Sequence, residues 1–240
     1  MGCRSGSFDA ELTAARVARV DLTPWPGVVC ANAGRLPFAD GSMDLVVANH
    51  SLEHFVDLDG AVREMGRVVK RSGSVFVSVP DANTWTDRVY GWQADGGGHV
   101  NAFTDAAALG SYLAERTGLP LRAAVTLHSG YSYLHRAHGG RRPRRIALAG
   151  GGCEWTLQAG CYLFRVLDRR LGTRLSVYGW AFYLGAAVAP EAPWRNVCVR
   201  CGAGHAGDWL RESGRAERWV LWRRYACVKC GTWNLFTEDR

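Results

Sequence analysis

The sequence predicts an α/β fold: a mostly parallel sheet with helices on both faces, followed by a small C-terminal unit built on cysteines. Three observations carry this. "MDLVVANH" (43–50) holds the continuous apolar run "LVVA", and "GSVFVSVP" (73–80) is a second strand rich in Val and Phe, as in strands buried on both faces. Segments of helical period alternate with such runs, the pattern of βαβ units. Two Cys-x2-Cys pairs then stand close to the end, with 25 residues between them.

The elements follow in order. Asp9 to Arg19, rich in Ala, Leu and Arg, reads as a helix. Ala18 to Leu22 reads as a short strand stopped by "TPWP". "GVVCANA" (27–33) and "MDLVVANH" (43–50) are further strands, with "PFADGS" (37–42) a turn between them. "LDGAVREMGRVVK" (58–70) spaces its apolar residues for a helix and ends on basic residues, which suit a helix C-terminus. "GSVFVSVP" (73–80) is the next buried strand. A helix is expected over 104–117, a strand over 121–129, and a helix over 146–172 whose apolar stripe is Trp155, Leu157, Cys161, Phe164 and Leu167. "RLSVYGWAFYLGAAVA" (174–189) reads as the strand that closes the sheet. The Pro-rich "APEAPW" (189–194) divides a first domain, 1–190, from a second, 195–240.

Composition bounds the function. The chain has 240 residues, 48% of them hydrophobic, enough to bury a core and to exclude a disordered chain. The longest apolar stretches fall short of the ~20 residues of a membrane helix. No secretory leader is recognisable, so a cytoplasmic protein is expected. The net charge of +7 rests on 27 Arg against two Lys, a bias of composition as much as a sign of polyanionic partners. The basic run "GGRRPRR" (139–145) reads as a solvated loop.

"GCRSGSF", "VARVDLTP", "ANAGRLPFADGSMDLVVANHSLEHF", "REMGRVVKRSGSVFVSVP" and "GGHVNAFT" occur in this order. Together they resemble the class I S-adenosylmethionine-dependent methyltransferases of the small-molecule type, over residues 2–104 and more loosely to about 190. The resemblance implies a Rossmann-like sheet and S-adenosylmethionine as cofactor. Gly2, Cys3 and Gly6 would form the cofactor loop, with Arg4 where the family has its middle glycine. Asp21 would accept from the ribose hydroxyls, with Leu22 beside it. Asn32, Ala33 and Leu36 would line the adenine site, and Asn49 and His50 the methionine end. His50, His54 and His99 are candidate catalytic groups, with Asn101 near them. The family carries a strand before its cofactor loop. The sequence holds none, so the fold is expected to lack its first strand and to bind the cofactor weakly or not at all.

The cysteines are read from spacing. Cys198, Cys201, Cys227 and Cys230 form two near-repeats, "CVRCGAGH" and "CVKCGTWN", able to place four thiolates around one tetrahedral Zn²⁺ in a zinc-ribbon-like unit. Cys3, Cys30, Cys153 and Cys161 have no partners at such spacing. Three functions stay open. The first is methyl transfer to a small-molecule or glycan- or lipid-linked acceptor. The second is a non-catalytic methyltransferase remnant acting as a binding module. The third is an RNA or DNA methyltransferase gripping nucleic acid through the ribbon, whose five Trp and nine basic residues from 194 onward suit stacking and phosphate contact. Against the third, "NHSLEH" stands where base-amine methyltransferases carry an N-P-P-Y-like tetrapeptide.

Overall fold

A computed structural model describes residues 1–2, 15–93, 97–138, 153–190 and 194–237. The predicted helix over 9–19 falls mostly outside them, and residues 15–19 form a bend and extended chain. The basic run 139–145 and the first part of the predicted helix 146–172 also lie outside the described residues.

The first compact unit comprises 1–81, 98–125 and 180–190. Strands β1 (Val20–Asp21) and β2 (Val29–Cys30) pair in parallel. Strand β3 (Met43–Asn49) runs parallel to β4 (Val69–Pro80), with helix α1 (Leu58–Val68) between them. Asp57 caps α1 by accepting from the Gly60 N–H at 2.9 Å. Helix α2 (Trp85–Gln93) belongs to the second unit. Helix α3 (Ala106–Thr117) starts at the cap Asp105 and stops at Gly118, which is left-handed at φ 69. Strands β5 (Leu121–His128) and β6 (Val177–Gly185) complete a four-stranded sheet of order β3-β4-β6-β5.

Period-two alternation decides which face is buried. Val46, Ala48, Val75 and Val77 point to one side, where they meet Val62, Met65 and Val68 of α1 and Leu109 and Leu113 of α3. Gly66 lets the two helices meet closely, since a Cβ there would lie 2.6 Å from the Thr117 carbonyl oxygen. Leu45, Val47, Phe76 and Tyr183 point to the other side and line a cavity of about 590 Å³. The loop 35–41 is pinned from α1. Glu64 accepts from the Leu36 N–H at 2.7 Å, and Arg67 donates to the Phe38 and Leu36 carbonyls and to Asp40.

The second unit comprises 82–97, 126–179 and 191–240. Helix α4 (Glu154–Leu171) ends at Gly172, left-handed at φ 67. Its predicted stripe holds in the middle, where Leu157 and Cys161 are buried with Tyr131 and Val199, but Trp155 stands exposed and meets the Trp219 ring edge-on. The polar side of α4 conceals a hub. Arg165, 3% exposed, donates to the carbonyls of Arg195, Ser176 and Ser129 and to His128 Nδ1. Beyond it lie β7 (Asn196–Val197), β8 (Gly204–His205), the short helix α5 (Gly207–Glu212), and β9 (Ala216–Trp219), β10 (Trp222–Ala226) and β11 (Trp233–Leu235). The last three form an antiparallel sheet of order β11-β10-β9. Leu210, Tyr225 and Phe236 make its small core.

Candidate active site

Parallel strands present their carboxyl ends on one edge, where ligands bind in open α/β sheets. The residues assigned to the cofactor follow such ends. Asp21 closes β1, and its Oδ1 accepts the Thr23 N–H at 2.9 Å, an Asx turn that fixes the carboxylate. Asn32 follows β2 and repeats the device, accepting from the Gly34 N–H at 2.9 Å. Ala33 is half-buried beside it. Leu22 is 72% exposed, whereas Leu36 packs into the core cluster that also holds Val20 and Val46. Gly2 takes φ 62 and lies close to Ser51, while Cys3 and Gly6 are outside the described residues. The Met1 carbonyl accepts from Ser51 Oγ at 2.8 Å.

At the end of β3, Asn49 and His50 are set by a residue that sequence reasoning missed. Ser78 on β4 is the register partner of Asn49. Its hydroxyl donates to Asn49 Oδ1 at 2.6 Å, and its carbonyl accepts the His50 N–H at 3.0 Å. No local signal marks Ser78, because the pairing depends on strand register. His50 adopts φ 49, an uncommon region for a residue with a Cβ.

His50 belongs to a cluster with Glu53, His54 and His99. Its Nδ1 lies 4.0 Å from Glu53 Oε1. The His54 and His99 rings meet edge-on at 5.0 Å. His54 Nδ1–H donates to the Gly98 carbonyl at 3.0 Å. Asn101 ties the loop down by donating to the Leu52 and Phe55 carbonyls at 2.9 and 2.7 Å, while the Glu53 carbonyl accepts from the Val100 and Asn101 N–H groups. Burial, then the neighbouring His99 and His54, lower the His50 pKa to about 4. At neutral pH it is an uncharged imidazole and a weak base, suited to hold a group in place rather than to accept a proton.

In the second unit an apolar cavity of about 560 Å³ opens between α2 and α4, lined by Trp85, Trp92, Tyr131, Leu157 and Phe164 with Arg88 at its polar side. Its size and lining suit a small apolar molecule.

The four predicted zinc cysteines come together. Their Sγ atoms all lie within 4.8 Å of one another. Cys198 and Cys230 are 3.6 Å apart, and so are Cys201 and Cys227. A tetrahedron with ~2.3 Å metal–sulfur arms has edges of about 3.8 Å, and these two spacings lie close to that value. The two knuckles match in detail. Gly202 N–H donates to the Cys198 carbonyl and Gly231 N–H to the Cys227 carbonyl, with φ 73 at each glycine. Arg200 N–H and Asn234 Nδ2 lie 3.4 and 3.5 Å from Cys198 Sγ, and His205 Nε2 lies 3.3 Å from Cys227 Sγ, contacts that orient thiolate ligands.

Comparison with known proteins bears on the first unit. A methyltransferase-domain family matches residues 1–77. A malonyl-[acyl-carrier protein] O-methyltransferase of Legionella pneumophila is 29% identical over 133 residues, 47% of this chain and 46% of the relative. A demethylmenaquinone methyltransferase of Mycolicibacterium vanbaalenii is 37% identical over 75 residues, 31% of each. The chain thus spans less than half the length of these curated relatives. A methyltransferase structure from Archaeoglobus fulgidus aligns over 69% of this chain and 73% of its own, at 13% identity and a TM-score of 0.44, too loose a likeness to carry an argument. Over residues 1–77, this chain is thus similar to methyltransferase domains.

Proposed function

We propose that the protein transfers a methyl group from S-adenosylmethionine to a small-molecule acceptor, which includes molecules carried on a glycan or lipid. The single observation that supports this most is the family match over 1–77, which contains Asp21, Asn32, Asn49 and His50, three of the strand ends described above. Asp21 can accept two hydrogen bonds from a diol. Asn32 offers an amide oxygen to an exocyclic amine. Asn49, held by Ser78, and the neutral His50 border the methionine end. When bound, the cofactor supplies a methyl group activated on a sulfonium. The residues contribute by position, since an in-line displacement gains most of its rate from orientation. His54, held by its bond to the Gly98 carbonyl, and His99 are the candidates to orient the acceptor.

The two relatives are named for acceptors of different chemistry, malonyl-[acyl-carrier protein] and demethylmenaquinone. Cys198, Cys201, Cys227 and Cys230 are proposed to hold one Zn²⁺ in residues 195–240. All four positions are filled by protein, which leaves no open site for catalysis and makes the ion structural.

The test is label transfer. The full chain is incubated with S-adenosylmethionine labelled in the methyl group and with panels of carboxylic acids, thioesters, phenols and quinols. Label in one acceptor class, lost in Asp21→Ala, is the expected result. Cofactor binding with no transfer to any class favours the non-catalytic binding module, and absence of both overturns the reading.

A further inference from the structure

The hairpin of β9 and β10 ends in the two-residue turn Val220-Leu221, between the directly opposed Trp219 and Trp222. Two-residue hairpin turns need positive φ at their first or both central positions and are normally filled by Gly, Asn or Asp. Here a valine takes the first position at φ 54, a conformation that β-branched residues avoid. Both turn side chains are apolar and stand in solvent, Val220 at 69% and Leu221 at 82% exposure. One step back, Arg218 and Arg223 stand directly opposite each other across the strands. On the other face, Arg224 pairs with Glu217 and lies over the Trp219 and Trp233 rings, 5.6 and 4.2 Å from their centres. Four arginines and one glutamate fall between 215 and 224.

A turn that served stability alone would carry a glycine or an asparagine. The strained valine and the exposed leucine each make the hairpin less stable in water. One environment accounts for both. Acyl chains accept Val220 and Leu221, the interfacial layer accepts indole rings, and anionic headgroups attract the arginines. A single-stranded nucleic acid would use the arginines and the indoles, but it gives two aliphatic side chains at the tip nothing to pack on.

We propose that the tip of this hairpin inserts into an anionic lipid surface, with Val220 and Leu221 at acyl depth, Trp219 and Trp222 at the interface, and Arg218 and Arg223 on the headgroups. The site is separate from the methyl-transfer reading and does not rest on it. It places the protein on a membrane without spanning one, in keeping with the described residues, where no helix is long and apolar enough to cross.

Co-sedimentation of the full chain with vesicles of phosphatidylcholine, with and without phosphatidylglycerol, tests this. The chain partitions onto the anionic vesicles, and Leu221→Asp lowers the partition by about tenfold or more, the scale of losing several buried methylenes. Each of Arg218→Glu and Arg223→Glu lowers it at least about fivefold, near the contribution of one basic residue at such a surface. Val220→Gly separates lipid binding from folding. It relieves the turn and raises the thermal midpoint, yet weakens the partition. Equal partition of wild type and Leu221→Asp, or indifference to phosphatidylglycerol, overturns the proposal. So does binding to a single-stranded oligonucleotide by a chain that ignores both vesicles.

Discussion

Replacing Arg165 by Met should cost the protein about 3 kcal/mol, and the loss has a pH signature. The guanidinium donates to three carbonyl oxygens, those of Arg195, Ser176 and Ser129, at 3.0–3.1 Å. Hydrogen bonds from a charged group contribute about 2 kcal/mol each, which gives roughly 6 kcal/mol gross. Against this, burial, only partly offset by nearby Asp168 and other groups, pulls the Arg165 pKa down to about 10, a net penalty on the charge near 3 kcal/mol that Met does not incur. The bonds win, and the net is about 3 kcal/mol lost. The signature comes from His128, whose Nδ1 accepts from Arg165 at 2.9 Å. Burial first, then the charges of Arg165 and Arg195, hold His128 at about 3 against 6.5. The unfolded chain binds this proton below pH 6.5 and the native state only near pH 3. Stability is therefore full above 6.5 and falls as pH drops through that window. Removing the guanidinium raises the native pKa of His128 and flattens the slope. Urea unfolding of wild type and Arg165→Met from pH 4 to 8 reads both effects. An unchanged midpoint at pH 8, or an equal slope in the two proteins, would refute the reasoning.

Zinc analysis should find one ion per chain, and chelation should collapse the proton signals of Tyr225 and Phe236 to unfolded positions while those of Val75 and Val77 persist, because the core around Leu210 is too small to hold residues 195–240 alone. Metal-free protein with an ordered C-terminal unit would remove the zinc. Gly66→Ala sets two effects against each other, a helix-propensity gain of about 1 kcal/mol and a Cβ placed 2.6–2.9 Å from Thr117 backbone atoms. Overpacking against backbone costs about 1–3 kcal/mol, so the variant should unfold at lower urea; a gain in stability would show that α3 yields freely.

Legibility in the sequence followed the range over which each feature is encoded. Strands β3 and β4 were readable from their apolar runs, of which Val46, Ala48, Val75 and Val77 are buried, and α1 because its period and cap are local. The strand expected over 27–33 shrinks to Val29–Cys30, both exposed, so no burial pattern extends it. The strand expected over 174–189 ends at Gly185, whose φ of 73 and close approach to the Gly73 carbonyl break the ladder. Trp155 was read into a core stripe by spacing alone, and only the tertiary partner Trp219 explains its place at the surface. Asp21, Asn49 and the four cysteines were legible as residue types at fixed offsets. Ser78 and Arg165 were not, since a serine inside a strand and an arginine on a helix look like solvent-facing residues until register and packing enclose them.

The central claim, that the carboxyl ends of these strands hold S-adenosylmethionine, is tested most directly by calorimetric titration of the cofactor into wild type and Asp21→Ala. The account predicts saturable one-to-one binding by wild type and an affinity about 5- to 150-fold weaker in the variant, the loss of about 1–3 kcal/mol expected when a hydrogen-bonded charged acceptor is removed. Equal affinities, or no heat of binding in wild type, would contradict it.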